Sequence, residues 1–290
     1  MDPALLERER PRLLSLAYQL VGGASDAEDL VQEALLRASQ ADSIEHPVAW
    51  LTTVVTRLCI DHLRSARARR ETYVGPWLPE PAIIDDAFDQ RAENADAVSF
   101  AFLVALESLS PLERAAFLLH HVFDYSFDEV GAVLGRDPSA SRQLAHRAKL
   151  HLSARRPRFA ADREAHAALV QGFAAAVATG DTEALVSLLT PDARCVSDGG
   201  GKRKAALKVV FGAPRVARML VGLARRGLGD RRVGFETING AVGVVVRDDD
   251  AIDSVTLLEV DAGRVRAVHV VRNPDKLRFL ERQFAGRARS

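Results

Sequence analysis

The sequence predicts a multidomain chain in which two all-α domains precede an α+β domain. Three observations carry this. Apolar residues recur at helical spacing from Leu5 to about Arg156. The stretch "YVGPWLPEP", Tyr73 to Pro81, interrupts that run with three prolines in nine positions. From Glu164 onward two helical segments give way to apolar strands with a hairpin signal at Asn239-Gly240.

Composition bounds what the chain can be. Its 290 residues and 48% hydrophobic content suffice for two or three packed domains. Lys plus Arg and Asp plus Glu number 39 each, so attraction to nucleic acid must come from local clusters. Cys59 and Cys195 stand far apart and in no metal-ligand spacing, which argues against a disulfide framework or a zinc site and suits a reducing compartment. The opening "MDPALLERER" is charged where a signal peptide is apolar, and no run reaches the roughly eighteen apolar residues of a membrane span. The expectation is a soluble cytoplasmic protein with no membrane partner, metal or cofactor.

The first helix follows from the stripe Leu13, Leu16, Ala17 and Leu20, which stops at Gly22-Gly23. In "ASDAEDLVQEALLRA" the stripe is Ala27, Leu30, Val31, Ala34, Leu35 and Ala38, with Ser25 and Glu28 predicting a capping box. Asp26, Asp29, Gln32, Glu33 and Arg37 mark its outer face. "PVAWLTTVVTRLCIDHLRSARARR" opens a third helix at Pro47 and turns Trp50, Leu51, Val54, Val55, Leu58 and Leu63 inward, so Trp50 reads as core. The outer face becomes basic toward Arg57, Arg64, Arg67, Arg69 and Arg70, a pattern that complements a helix dipole or follows phosphates.

A second helical group begins near Ala92. Ser110 with Glu113 and Ser126 with Glu129 predict capping boxes, and Asp137-Pro138 supplies a cap and a first-turn proline. Only Gly135, Arg136 and Asp137 separate the last two helices, which predicts a helix-turn-helix. In its second helix Ala140, Leu144, Ala148 and Leu152 should pack inward. Ser139, Arg142, Gln143, His146 and Arg147 project elsewhere, beside Arg136, near the helix start. Arg bridges guanine O6 and N7, and Gln bridges adenine N6 and N7, so these residue types suit major-groove reading. A helical hairpin with a solvated basic face is the other reading.

The proline strip forbids a continuous helix and is too apolar for a plain tether, since Tyr73, Trp77 and Leu78 give it an adhesive side. Its continuation is acidic, with Glu80, Asp85, Asp86, Asp89, Glu93 and Asp96. Beyond it, "EAHAALVQGFAAAVATGD" and "TEALVSLL" read as helices. "RRVGFETINGAVGVVVRDDD" and "SVTLLEVDAGRVRAVHVVRN" read as an antiparallel meander with turns at Asn239-Gly240 and Asp261 to Gly263.

Taken together, these motifs in this order resemble an extracytoplasmic-function sigma factor over Leu5 to about Arg156. "DAEDLVQEALLRA" is similar to the helix that holds the clamp helices of RNA polymerase, and the third helix to the one that engages the minus-ten promoter element. The segment from Glu164 is similar to a SnoaL-like domain of the nuclear-transport-factor-two superfamily, a cone of helices wrapped by a curved antiparallel sheet. Three pieces match the SigJ-like group that carries this extension: "YVGPWLPEP", "DGGGK" at Asp198 to Lys202, and "NPDKL" at Asn273 to Leu277.

The resemblance implies sigma region 2 over 1–72, an extended Pro-rich and acidic linker over 73–95, region 4 with the helix-turn-helix over 96–160, and a SnoaL-like regulatory domain over 161–290. It implies RNA polymerase core and promoter DNA as partners. Asp26, Asp29, Gln32 and Glu33 would bind the polymerase core. Ser43, His46, Arg57, Asp61, Arg64 and Arg67 would meet the minus-ten element, with a flipped base received in the loop Ser39 to His46. Arg136, Ser139, Arg142, Gln143, His146 and Arg147 would meet the minus-thirty-five element. Arg57 stands where many members carry Asn, which leaves promoter preference open. The acidic linker would be drawn to the basic nucleic-acid channel of polymerase.

The group's extension regulates the factor in cis. Tyr73, Trp77, Leu78 and Pro79 are expected to dock on it close to Asp198, Gly199, Gly200, Gly201 and Lys202 and to Asn273, Pro274, Asp275, Lys276 and Leu277. The resemblance leaves open whether the cone cavity takes an unidentified small molecule as a further partner.

Two alternatives stay open: a stand-alone helix-turn-helix regulator, and an isomerase or cyclase on the SnoaL-like fold. For the latter, Asp198, Lys202 and His269 are the ionisable residues to inspect, His269 on an apolar strand that places it inside the cone or satisfied in the core. "DGGGK" lacks the phosphate-loop pattern, His120-His121 points to different helix faces and makes a poor metal site, and no nucleophile-base-orienter set is visible, so the chain reads as no enzyme.

Overall fold

The computed structural model describes residues 3–41, 43–70, 72–84, 88, 99–153, 163–227 and 229–287, with backbone alone at 67–70 and 226–227. They fall into two compact units, one made of residues 1–71 and 84–156, the other of 72–83 and 157–290. The proline strip therefore belongs with the C-terminal domain.

The described part of the first unit is helical. Helix α1 (Pro3–Val21) stops at Gly22, whose φ of 73° ends it. Helices α2 (Ala24–Gln40) and α3 (Pro47–Arg70) pack with it around Leu13, Leu16, Ala17, Leu20, Val31, Leu51 and Val55, all buried. Three expectations change here. Gly23, not Ser25, is the N-cap of α2, and having no side chain it makes no capping bond, so Ser25 falls inside the first turn. Helix α2 continues through Gln40, which shortens the following loop to 41–46. Trp50 is only half-buried, since the first turn of α3, where Val48 and Ala49 are exposed, stands at the edge of the bundle.

Helices α4 (Phe100–Leu106), α5 (Pro111–His121), α6 (Phe127–Leu134) and α7 (Pro138–Ser153) form the second group. Both capping boxes are present, Ser110 with Glu113 and Ser126 with Glu129. Between α6 and α7, Gly135 adopts the left-handed conformation at φ 64°, and Asp137 Oδ1 accepts from the Ala140 amide at 2.9 Å. Leu144, Ala148 and Leu152 are buried on α7, joined by Ser141 and Ala145.

The two helical groups pack on each other through α1 and α3 against α5 and α6. At their junction Arg114 is only 2% exposed. Its Nη1 donates to the Leu20 carbonyl at 2.6 Å, its Nε to the Leu106 carbonyl at 3.0 Å, and its Nη2 to Glu107 Oε1 at 2.7 Å. One guanidinium thus satisfies carbonyls at the ends of α1 and α4 that have no partner within their own helices. Arg12 adds bonds to Tyr125 Oη and Thr52 Oγ1, each at 2.9 Å.

The second unit is α+β. Helices α8 (Arg163–Thr179) and α9 (Thr182–Leu188) precede β1 (Leu189–Asp198), β2 (Val210–Phe211) and α10 (Ala213–Gly227). Strands β3 (Arg232–Ile238), β4 (Ala241–Asp248), β5 (Ala251–Asp261) and β6 (Arg264–Val271) form the meander, and α11 (Pro274–Arg287) closes the chain. The sheet order is β2-β1-β6-β5-β4-β3. The turn at Asn239-Gly240 has φ of 50° and 76°, as a tight hairpin requires. The sheet is mostly antiparallel, with one pairing the meander does not foresee: β1 runs parallel to β6, since the chain returns to it only after α10 and the whole meander.

Helices α8, α9 and α10 cover one sheet face, where Val170, Phe173, Leu185, Val216 and Val221 pack against Cys195, Leu258 and Val268. Cys195, Val268 and Leu258 are in register across three strands. Alternation therefore puts Val196, His269 and Leu257 on the opposite face, and His269 lies outside the helix-covered interior. Both cysteines are buried and free.

Removing the Arg114 side chain takes the donor from the Leu20 carbonyl and the ion-pair partner from the half-buried Glu107 carboxylate. Arg114→Ala is expected to destabilise the helical unit by about 3 kcal/mol, read as a lower urea midpoint at unchanged slope.

Candidate functional site

On α2, the side chains of Asp26, Asp29, Gln32 and Glu33 are all exposed, because Ala27, Val31, Ala34 and Ala38 take the buried stripe. Glu33 pairs with Arg37 at 2.8 Å, and Asp26 Oδ2 stands 3.5 Å from His62 Nε2. The result is one acidic, solvent-facing helix surface.

The residues expected at the minus-ten element are spread over α3 and the loop before it. Ser43 and His46 are exposed, His46 on a groove whose other wall includes Phe123, Asp124 and Tyr125 of the α5–α6 turn. Arg57 is exposed yet donates to the Val133 carbonyl of α6 at 3.3 Å. Arg64 pairs with Asp61 at 3.1 Å, which partly neutralises it. The side chain of Arg67 lies outside the described residues, as do Asp85, Asp86, Asp89, Glu93 and Asp96.

Arg136, Ser139, Arg142, Gln143, His146 and Arg147 are all exposed, on α7 and the turn before it. Ser139 Oγ donates to Asp137 Oδ1 at 2.8 Å, and the Arg142 guanidinium lies 5.0 Å from the Phe127 ring centroid. Arg147 is engaged by Glu113 at 3.1 Å. Burial works against the Glu113 charge, but bonds from Ser110 and the pair with Arg147 hold its carboxyl below the usual range. Arg142, Gln143 and His146 thus form the unobstructed part of the face.

The second unit contains a site built around one carboxylate. Asp198, at the end of β1, has no exposed surface. Its Oδ1 accepts from Tyr73 Oη at 2.5 Å and the Gly200 amide at 3.1 Å, and its Oδ2 from the Leu78 amide at 2.8 Å and Lys276 Nζ at 2.7 Å. Lys276 also donates to the Leu78 carbonyl. Its ammonium stands 3.9 Å from the Trp77 ring centroid and 5.1 Å from that of Tyr73. Asn273 Nδ2 donates to Tyr73 Oη at 2.9 Å.

The proline strip thus lies in a cradle made by "DGGGK" and "NPDKL". Leu78 and Pro79 are buried, and full burial of a leucine contributes about 2 kcal/mol. Two of the glycines are there for space: a Cβ on Gly199 would meet the Arg203 carbonyl at 2.2 Å, and one on Gly200 the Asn273 amide at 2.3 Å. Gly201 faces Val74 of the strip. Lys202 pairs with Asp275 at 2.5 Å, at the rim. Pro274 is half-buried and Leu277 is 1% exposed, anchoring the start of α11.

Two further clamps escaped the sequence reading. The Asn239 amide donates to the Ala82 carbonyl at 2.8 Å, and Asn239 Oδ1 accepts from the Ala82 amide at 3.2 Å. Gln283 does the same for Ile83, with both bonds at 2.8 Å. Asn239 is visible in the sequence only as a turn residue, and nothing there signals Gln283.

The residues weighed for catalysis are not brought together. Asp198 is fully engaged by the strip, Lys202 is at the rim, and His269 is buried 3.5 Å from Glu259 on the sheet face opposite the helices. Burial opposes the Glu259 charge, but His269, Arg194 and Arg266 hold its carboxyl below the usual range. The rings of His120 and His121 lie 4.7 Å apart, edge to face, at the end of α5. His120 Nδ1 is within 2.8 Å of the Tyr125 carbonyl. Among the described residues no group of three His, Cys, Asp or Glu is arranged to hold a metal ion, and no helix is long and apolar enough to cross a membrane.

Residues 5–69 match the family Sigma-70 region 2, and residues 99–152 match Sigma-70, region 4. The chain is 41% identical over 292 residues to the ECF RNA polymerase sigma factor SigJ of Mycobacterium tuberculosis, covering 95% of this chain and 93% of that one. It is 32% identical to the probable ECF RNA polymerase sigma factor SigI of the same organism, covering 98% of each. The crystal structure of Mycobacterium tuberculosis SigJ superposes with a TM-score of 0.75 at 37% identity, over 96% of this chain and 99% of that one.

Asp198→Asn removes the charge that balances Lys276 and should loosen the strip by about 3 kcal/mol. The measurement is the rate of proteolytic cleavage within residues 72–84, which should rise. Burial first, then the Asp198 carboxylate, raise the Tyr73 phenol well above its usual range. The Tyr73 proton therefore stabilises the docked strip fully below the ordinary tyrosine value of about 10, and progressively less as pH rises beyond it.

Proposed function

The chain belongs to the extracytoplasmic-function RNA polymerase sigma factors, and we propose that its C-terminal domain controls it in cis by holding the interdomain strip. As a sigma factor it is the promoter-specificity subunit of bacterial RNA polymerase and directs initiation through minus-ten and minus-thirty-five elements. The observation that carries this reading is the coexistence in one chain of a helix-turn-helix with a free recognition face and of an acidic, exposed α2. A stand-alone regulator has no use for the second. The cytoplasm is the compartment in which such a factor meets polymerase.

Roles follow from position. Asp26, Asp29, Gln32 and Glu33 present the charge that would meet the polymerase clamp helices. Arg142, Gln143 and His146 point from the start of α7, where such motifs meet base edges, with Arg136, Ser139 and Arg147 flanking them. Arg147 must first leave Glu113. Ser43, His46, Arg57, Asp61, Arg64 and Arg67 serve the minus-ten element. For Arg57 to do so, its guanidinium must leave the Val133 carbonyl of α6, which now accepts its bond.

Regulation acts on the strip that joins them. While Asp198 and Lys276 grip Tyr73, Trp77 and Leu78, the linker is short, and its release lengthens the tether between region 2 and region 4. Run-off transcription with the Asp198→Asn protein tests this, since a change in yield relative to the unaltered protein at equal polymerase binding is the expected result.

Reversing Asp29 and Glu33 to Lys is expected to abolish capture of core polymerase, and intact binding would remove α2 from that role. Arg142→Ala should weaken binding to the minus-thirty-five element by about 1 to 3 kcal/mol if it pairs with guanine. Competition between matched and mutated elements reads this, and equal weakening on all sequences would assign Arg142 to a phosphate.

A further inference from the structure

Between Asp198 and Asp230 the sequence carries eight cations, Lys202, Arg203, Lys204, Lys208, Arg215, Arg218, Arg225 and Arg226, and no carboxylate. In a chain whose charges balance, this is a strong local segregation. The structure gives it a shape. Arg215, Arg218, Gly222 and Arg225 recur at the spacing of one face of α10, and the three arginines are exposed. The opposite face, with Ala213, Val216, Ala217, Leu220 and Val221, is spent on the domain core.

Gly222 leaves the middle of that stripe open, as nothing lies within 4 Å of where its Cβ would stand. The loop entering β2 adds exposed Arg203, Lys204 and Lys208, and β2 passes into α10 through Gly212 alone. Among the described residues, Lys202 is paired with Asp275, while no ion pair joins Arg203, Lys204, Lys208, Arg215, Arg218 or Arg225 to a carboxylate. The acidic residues on neighbouring α9 are Asp181, which caps that helix through the Ala184 amide, and Glu183.

Like charges three and four residues apart destabilise a helix slightly unless an external anion compensates them. Arg215 to Arg225 spans about 15 Å of helix at 1.5 Å per residue. The same length of duplex carries about nine phosphates, at one per 1.7 Å of axis. We propose that this face of the C-terminal domain binds the phosphate backbone of DNA, as a contact separate from those of regions 2 and 4 and carrying no sequence information. It rests on the chain being a sigma factor only in that promoter DNA is then the duplex at hand.

The test compares polymerase holoenzymes carrying the unaltered protein, the triple variant Arg215→Gln/Arg218→Gln/Arg225→Gln, and the same three positions changed to Lys. Promoter affinity is measured across salt concentrations by fluorescence anisotropy. Each phosphate contact contributes about 0.9 to the slope of log affinity against log salt. The Gln protein should lose about 2 to 3 from that slope equally on promoters of different sequence, and the Lys protein should keep it. Equal melting temperatures confirm that the exposed changes leave the fold intact.

An unchanged slope in the Gln protein overturns the proposal. So does a loss of core-polymerase affinity measured without DNA, which would make the face a protein-docking surface, or charge-dependent capture of the free protein by phosphatidylglycerol vesicles with promoter binding unaffected. Failure of the unaltered holoenzyme to bind promoter at all would instead overturn the sigma-factor reading.

Discussion

A carboxylate with no exposed surface must find donors inside the protein, and Asp198 finds four, of which three involve the proline strip or the lysine above it. The arrangement is reciprocal. Leu78 gives its amide to Asp198 and its carbonyl to Lys276, so an extended segment with no strand partner has its backbone satisfied by an ion pair. The rings of Tyr73 and Trp77 then shield that pair from water and keep the interaction strong. The prolines, the glycine loop and the start of α11 are the conditions under which this one charge can be buried. Such a site is all or nothing, since losing either ion leaves the other unpaired in a dry place.

The helical unit is joined by a different logic. Arg114 reaches the end of α1 and Arg12 reaches the Tyr125 hydroxyl, each on the other helical group. Polar contacts of this kind can be exchanged for water when the groups part, whereas a large apolar junction would resist parting. The same junction holds Arg57 against α6, through its bond to the Val133 carbonyl.

Charge is balanced overall and sharply sorted locally. Acidic residues collect on α2 and in the linker, and basic ones on α3, on α7 and along residues 202–226. Sorting of this kind lets one neutral chain present opposite signs to different partners without the solubility and self-repulsion problems of a high net charge.

The sequence by itself determined the division into helical and α+β parts, both capping boxes of the second helical group, the Gly135 turn, the meander turns and the exposure of Arg142, Gln143 and His146. All of these rest on local rules of periodicity, capping and turn chemistry. It also brought the three motifs of the cradle to attention, but only through resemblance, since nothing local says that Asp198 meets Leu78 across 120 residues. Strand β1 went unseen because Pro191 and Asp192 break its pattern, with a register shift between Leu189 and Arg194 against β6. Helices α10 and α11 bury Val216, Ala217, Leu220 and Val221, and Leu277, Phe279 and Leu280, at helical spacing. Only the tertiary structure decided that the strip folds with the C-terminal domain, that Gln283 and Asn239 clamp it, that His269 faces away from the helices, and that Arg114 ties two helix ends. Those outcomes depend on which distant donor reaches which buried acceptor, and that is settled by packing rather than by any neighbouring residue.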